Sequence, residues 1–321
     1  MNRKFRTKKK TKKMTPNVRL TQKIKSTVIS EGADAVGFGP VERFKNAPEG
    51  YRPQDFMPDA TGVISIGMHM PDGVCDVWGD YTQPGKSVGP YLFYGYGLVN
   101  LEISRIVSLV ARMLEYHGYR ALVFPPTWAI ALYRWGGFKG NQFFADFSHR
   151  HAAVAAGLGE FGWSGLVMTP SFGARVRFNS VITNAPLEAR PMYEGPAICQ
   201  PAHCNYLCIK GCPAKALSGS QKVTIGRREY EHTKIDMIRC LYGIDGLVKG
   251  SGSYHGEEIP DGPGDWEHYV KAFENQHPDD RAMVESSRGI IAGDWCGRCL
   301  HQCPAHTFKR VVQRRKKRGQ Q

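Results

Sequence analysis

The sequence predicts an α/β chain: an α+β body followed by a small cysteine-rich module. Two observations predict it. Strand-length apolar runs alternate with stretches of helical period up to about residue 190. Beyond that point the periodicity fades, and eight of the nine cysteines lie between Cys199 and Cys303.

The elements follow in chain order. Residues 16–32 bring Val18, Ile24, Val28 and Ile29 roughly onto one helical face, and Gly32 ends that helix. ADAVGFGPV follows as a short strand and turn. GVISIGMHM, residues 62–70, is apolar, β-branched and of a length suited to a buried strand. The stretch DGVCDVWGDYTQPGKSVGP is rich in Gly and Pro and predicts a loop. The longest helix runs from near Gly97 to Gly118, with Leu98, Leu101, Ile103, Ile106, Leu109, Val110 and Leu114 close to a 3.6-residue period. YRALVFP is a strand, and SHRHAAVAAGLGEFGW a helix closed by Gly157 and Gly159. Residues 165–188 form two strands around a Pro/Gly turn. This divides the chain into a basic tail (1–15), a body (16–190), a cysteine module (191–308) and a second basic tail (309–321).

Charge is unevenly placed. The net charge is +14, yet the two ends hold fifteen Lys and Arg and no acid. Without them the chain has 28 basic and 29 acidic residues, so the body is about neutral. The tails suit an anionic partner such as RNA, or serve as solubilising ends. No apolar core of a signal peptide follows the N-terminal basic run, and no stretch of 18 apolar residues is present. A cytoplasmic location is expected, where thiols stay reduced and clustered cysteines bind metal. No GxGxxG fingerprint follows a strand and no Walker A sequence is present. A nicotinamide or flavin Rossmann site and a nucleotide-driven activator are therefore not indicated.

The cysteines carry the sharpest signal. The first knot is Cys199-x4-Cys204-x3-Cys208-x3-Cys212-Pro213; the second is Cys296-x2-Cys299-x3-Cys303-Pro304, with Cys240 upstream. Eight thiolates suit two [4Fe–4S] clusters, and the bacterial ferredoxin run likewise ends in Cys-Pro, its fourth cysteine serving the other cluster. Crossing the ligands in that way assigns Cys199, Cys204, Cys208 and Cys303 to cluster 1. It assigns Cys212, Cys240, Cys296 and Cys299 to cluster 2. Structural zinc is the alternative, though it usually takes paired C-x2-C knuckles. Each Cys-Pro is expected to open a short helix, since proline at the first helical position costs no hydrogen bond. Gly211 would let the backbone approach inorganic sulfide. Cys75 is expected to be a loop or half-buried thiol.

The order of features resembles the cobalamin-dependent reductases, which include the epoxyqueuosine reductases and the reductive dehalogenases. The resemblance rests on AGLGEFG (156–162), the following GLVMTPSFG and VITNAPLE, and the two cysteine knots. It covers residues from about 60 to 305. It implies a nitroreductase-like body that binds a corrinoid, and a ferredoxin-like module that delivers electrons to it. The implied chemistry is reductive cleavage of a carbon–oxygen or carbon–halogen bond. The substrate is a small organic molecule or a tRNA nucleoside, and the external donor a low-potential ferredoxin or flavodoxin. An electron-transfer protein without its own substrate is the alternative. Both branches usually end the last motif in TDLPL, where this chain has TNAPL with Asn184.

Reductive cleavage needs a proton donor. Asp146, His149, Arg150 and His151 form the densest group of protonatable side chains outside the tails, with Asp146 and His149 the preferred donors. Alternatively they cap and solvate a helix start, with Asp146 or Ser148 as N-cap. The resemblance places Tyr94 and Tyr96 beside the substrate pocket. Gly157, Gly159 and Gly162 would allow the backbone close to a corrinoid, or simply stop a helix before a tight turn. Arg175 and Arg177 alternate along a strand, facing a corrinoid's polar groups or solvent.

Overall fold

The computed structural model describes residues 17–79, 83–126, 146–282 and 296–307. The body is built on a four-stranded sheet in the order β1-β2-β6-β3. Its strands are β1 (Ala35–Pro40), β2 (Gly62–His69), β3 (Ala121–Val123) and β6 (Val176–Thr183). All three pairings are antiparallel, with Ser65 opposite Ser180 and Met68 opposite Arg177 at the centre. The alternation of strands and helices thus yields an α+β sheet.

Side-chain alternation sends the two faces to different cores. Ile64, Ile66 and Val181 pack with Leu20, Ile24 and Val28 of α1 (Val18–Ser30) and with Ile103, Ile106 and Val110. The last three belong to the long helix, Leu98–Tyr116. Val63, Phe178 and Ile182 face the opposite way, onto the alanine run 152–155. That run lies in a helix of seven residues, His149–Ala155. It is N-capped by Ser148, whose Oγ accepts from the His151 N–H, so Asp146 is not the cap. Its end is a left-handed Gly157, with Leu158 N–H donating to Ala153 O.

Two short helices lie between: α2 (Pro53–Phe56) and α3 (Asp72–Asp76). The predicted loop at 72–90 therefore contains a helical turn, which buries Cys75 to 2% exposure rather than leaving it half-buried. A π-helical turn, Tyr91–Gly97, leads into α4 (Leu98–Tyr116). It turns Tyr91 and Tyr96 inward and leaves Phe93 and Tyr94 exposed. The helix at His149–Ala155 is α5, and a small ribbon follows it, β4 (Glu160–Phe161) with β5 (Val167–Met168).

The cysteine-rich part contains α6 (Leu207–Lys210), α7 (Met237–Ile244), α8 (Trp266–Glu274) and α9 (Arg298–His301). It also holds a long hairpin, β7 (Leu217–Ile225) and β8 (Arg228–Ile235). Only one of the two expected Cys-Pro helices forms. Pro304–Thr307 is a 3-10 turn, whereas the residues after Pro213 enter β7. Lys215 sits at φ 49°, a left-handed conformation that ends any helix there. No helix among the described residues is long and apolar enough to cross a membrane. The basic tails lie outside the described residues.

Candidate functional site

The structure brings cysteines of the two knots near one another. Cys303 lies within electrostatic reach of Cys199, Cys208 and Cys204, and Cys208 within reach of Cys199 and Cys204. Cys299 faces Cys296 and Cys212, with Cys208 next in strength. On α7, a Cβ at Gly243 would stand 3.3 Å from Cys296 Sγ, which seats the helix of Cys240 against Cys296. Cys208 thus lies between two groups of sulfurs. Burial pushes the thiols of Cys208 and Cys303 up to about 11, and neighbouring cysteines add to the shift. Stable ionisation at neutral pH requires a cation or metal among them.

Backbone amides point at these sulfurs. Trp163 N–H donates to Cys199 Sγ at 3.2 Å and Ala216 N–H to Cys212 Sγ at 3.2 Å. Ala305 N–H reaches Cys303 and Ile209 N–H reaches Cys208. No three described His, Cys, Asp or Glu groups converge tightly enough to share one ion. Clustered thiols with backbone N–H groups directed at them are a donor set of the chemical type that holds an iron–sulfur cluster. At Gly211, a Cβ would meet the end of the Gln302 side chain.

The segment AGLGEFGW has a role that its sequence did not announce. Glu160 is buried, and its Oε1 accepts Ile198 N–H at 2.6 Å and Cys199 N–H at 3.4 Å. With the Trp163 amide, it clamps the first cysteine from both sides. The glycines serve the same packing. A Cβ at Gly157 would fall 2.1 Å from Pro191 O, and one at Gly159 would fall 1.9 Å from Met168 O. At Gly162 it would meet the Met168 side chain at 2.4 Å. At all three glycines a Cβ would meet the chain itself, which is the turn-and-packing role that the sequence also allowed.

The protonatable group around α5 divides. His149 is buried, with Nδ1 3.1 Å from Ser180 Oγ and Nε2 3.0 Å from Pro125 O. Burial, mainly, holds it down at about 4, so it is neutral at pH 7 with both nitrogens engaged. That suits a positioning role better than proton donation. His151 Nδ1 lies 2.6 Å from Ser148 Oγ, and burial lowers it likewise to about 4. Asp146 is partly buried on the turn ahead of α5. Tyr94 is 53% exposed, whereas Tyr96 is buried beneath the Arg177 guanidinium at 3.9 Å.

The two arginines have internal partners. Arg175 is buried and pairs with Asp72 Oδ1 at 2.9 Å and Asp76 Oδ1 at 2.7 Å, pinning α3. Arg177 Nε donates to Asn100 Oδ1 at 3.1 Å. Among the residues expected to meet a corrinoid, Gly157, Gly159 and Gly162 lie in tight packing and Arg175 is ion-paired. The first cysteine group adjoins this region. Cys199 and Cys303 pack against the core of Trp78, Tyr91, Tyr96 and Val99.

No protein-family model matches the chain, and no curated protein sequence does. Solved structures do match. An epoxyqueuosine reductase with an epoxyqueuosine-modified tRNA-Tyr stem loop superposes with TM-score 0.51 at 16% identity. A reductive dehalogenase whose structure suggests a mechanism for B12-dependent dehalogenation gives 0.53 at 19%. The chain has the fold of these reductases. A catabolic reductive dehalogenase in complex with 3-bromo-4-hydroxybenzoic acid gives 0.52 at 19%, covering 87% of this chain and 38% of its own. The first two matches cover 91% and 90% of this chain. The chain spans 66% of the epoxyqueuosine reductase and 39% of the dehalogenase whose structure suggests that mechanism.

Proposed function

We propose that the chain is an oxidoreductase that cleaves a carbon–oxygen or carbon–halogen bond reductively, with a corrinoid and two [4Fe–4S] clusters. What supports this reading is the reductase fold together with eight cysteines in two knots and Cys240, cysteines of one knot lying near those of the other. The overall change adds two electrons and one proton: the carbon–heteroatom bond breaks, a carbon–hydrogen bond forms, and the halide or oxygen group leaves. A bound corrinoid supplies the metal-centred nucleophile for such cleavage. Cys199, Cys204, Cys208 and Cys303 would hold one cluster, and Cys212, Cys240, Cys296 and Cys299 the other. The first lies against the Tyr91–Tyr96 core, the side from which electrons reach the body. Asp146 and Tyr94 are the proton donors this arrangement favours, because His149 is neutral and fully engaged. An external low-potential ferredoxin or flavodoxin would supply the electrons. The substrate is a small organic molecule or a tRNA nucleoside, for which the basic tails would add affinity.

Anaerobic purification after growth with cobalamin, followed by iron, cobalt and zinc analysis, tests this. About eight irons and one cobalt per chain are expected. Iron without cobalt after reconstitution would leave an electron carrier, and zinc alone would refute the cluster reading.

A further inference from the structure

Trp163 closes the AGLGEFGW segment, and its backbone is held on both sides. Its N–H donates to Cys199 Sγ at 3.2 Å, and its carbonyl oxygen accepts the Thr233 N–H of β8 at 2.9 Å. Its ring makes a T-shaped contact with the Tyr206 ring, the centroids 5.7 Å apart and the planes at 74°. Tyr206 lies in the turn between Cys204 and Cys208. Asn205 and Tyr206 are both left-handed there, at φ 51° and 54°, a costly arrangement for residues with a Cβ. Trp163 thus joins Cys199, through its backbone, to the turn that carries Cys204 and Cys208, through its ring. The indole Nε1–H is inaccessible to solvent, and among the described residues no acceptor takes its hydrogen. A buried N–H donor without an acceptor is rare and unfavourable. Packing alone would be met by an apolar ring, without that penalty. Indole carries this one donor and no acceptor, so what it calls for is an acceptor beside the first cysteine. Sulfur is the acceptor chemistry of this place, since Cys199 Sγ already takes the backbone N–H of the same residue.

We propose that the indole N–H of Trp163 donates to a sulfur of the first cluster, a sulfide or a cysteine thiolate, which makes Trp163 a residue that positions this cluster and raises its reduction potential. The inference rests on the iron–sulfur reading above, with Cys199, Cys204, Cys208 and Cys303 as the ligands. Reduction adds negative charge to the sulfurs, which strengthens an N–H bond to them and favours the reduced form. One residue then supplies the site with two N–H groups, one from its backbone and one from its ring.

Pulsed EPR on the anaerobic, reduced full-length protein, with its tryptophans isotopically labelled at the indole nitrogen, tests it. A coupling to that nitrogen and to an exchangeable proton is expected on the signal of the first cluster, which Cys204→Ser identifies. Trp163→Phe keeps an aromatic ring and removes the donor, so it should abolish both couplings. It should also lower that cluster's reduced-to-oxidised ratio about tenfold at fixed potential, ~59 mV for one electron, while the other cluster's holds within about twofold. A purely packing role would leave the iron-loaded wild type without either coupling, and that result overturns the proposal. So does a coupling that persists in Trp163→Phe or belongs to the second signal, or a midpoint that stays in place when the couplings are lost. If Trp163→Phe takes up no iron at the first site, the other five of the six tryptophans are replaced in turn by Phe. A coupling that survives all of these replacements is that of Trp163 and supports the proposal; one lost with any of them overturns it. A wild type that takes up no iron on reconstitution shows no signal at all, and this defeats the underlying iron–sulfur reading first.

Discussion

The Glu160 carboxylate joins the turn after α5 to the first cysteine by accepting Ile198 and Cys199 N–H groups. Glu160→Ala leaves those donors without a partner, a cost of about 1–3 kcal/mol for a buried group. The expected result is selective loss of the first cluster, seen as a fall in iron per chain toward half while the second site's EPR signal persists. Equal loss of both signals would show a general fold defect instead. His149 gives a pH signature. Its folded value, about 4, lies below the ordinary 6.5, so the unfolded chain takes the proton first as pH falls. Stability is therefore complete above about pH 6.5 and declines toward pH 4, by about 2 kcal/mol between pH 7 and 5. His151 contributes in the same window. Unfolding of His149→Gln at pH 7 and 5 should show a visibly smaller difference than wild type; an unchanged difference would refute the assignment. The sequence showed which residues crowd near α5 but not their partners. Ser180 and Pro125, which engage His149, lie 31 and 24 residues away in the chain.

At the scale of elements, glycines decide how closely α5 approaches the sheet. A Cβ at Gly37 in β1 would stand 2.2 Å from Ala156 O, and one at Gly39 would stand 2.7 Å from Ala155 O. Both obstacles are backbone, so neither can swing aside. Gly37→Ala should push the end of α5 off β1, costing about 1–3 kcal/mol or more. It should also loosen the hold of Arg150 on Gly165 O. A melting temperature within error of wild type would contradict this packing. Strong patterns made α1, β1, β2, α4 and α5 legible, since each buries one face against a core. The β7–β8 hairpin was not. Its first strand exposes most of its length and reads LSGSQKVTI, so alternation was masked by small and polar residues. The sequence signal lies in the turn: Gly226 has φ 61° in the two-residue connection between Ile225 and Arg228.

At the scale of the molecule, the cores divide by their dependence on sulfur. The two cores that clothe the β1-β2-β6-β3 sheet contain no cysteine. The other two do: Cys199 and Cys303 border the Trp78–Tyr91 core, and Cys212 and Cys240 border the core of Ile238, Leu241 and Tyr242. The short helices α6 and α9, four residues each, are below the length at which a helix holds itself in water. They carry Cys208 and Cys299, so a metal cluster would supply the order they lack, and its binding energy is then folding energy for that region. The hairpin is different. Ile225 and Tyr230 belong to the core on the α5 face, which anchors β7–β8 to the body across residue 190. Removing iron anaerobically should therefore raise amide exchange in α6, α7 and α9 by about tenfold or more, while β1, β2, β6 and the Ile225–Arg228 turn stay protected. Equal deprotection of the sheet would mean that the clusters stabilise the whole chain as one cooperative unit. Unchanged protection in α6 and α9 would mean that the thiol groups are ordered without metal, and the cluster reading would lose its structural support.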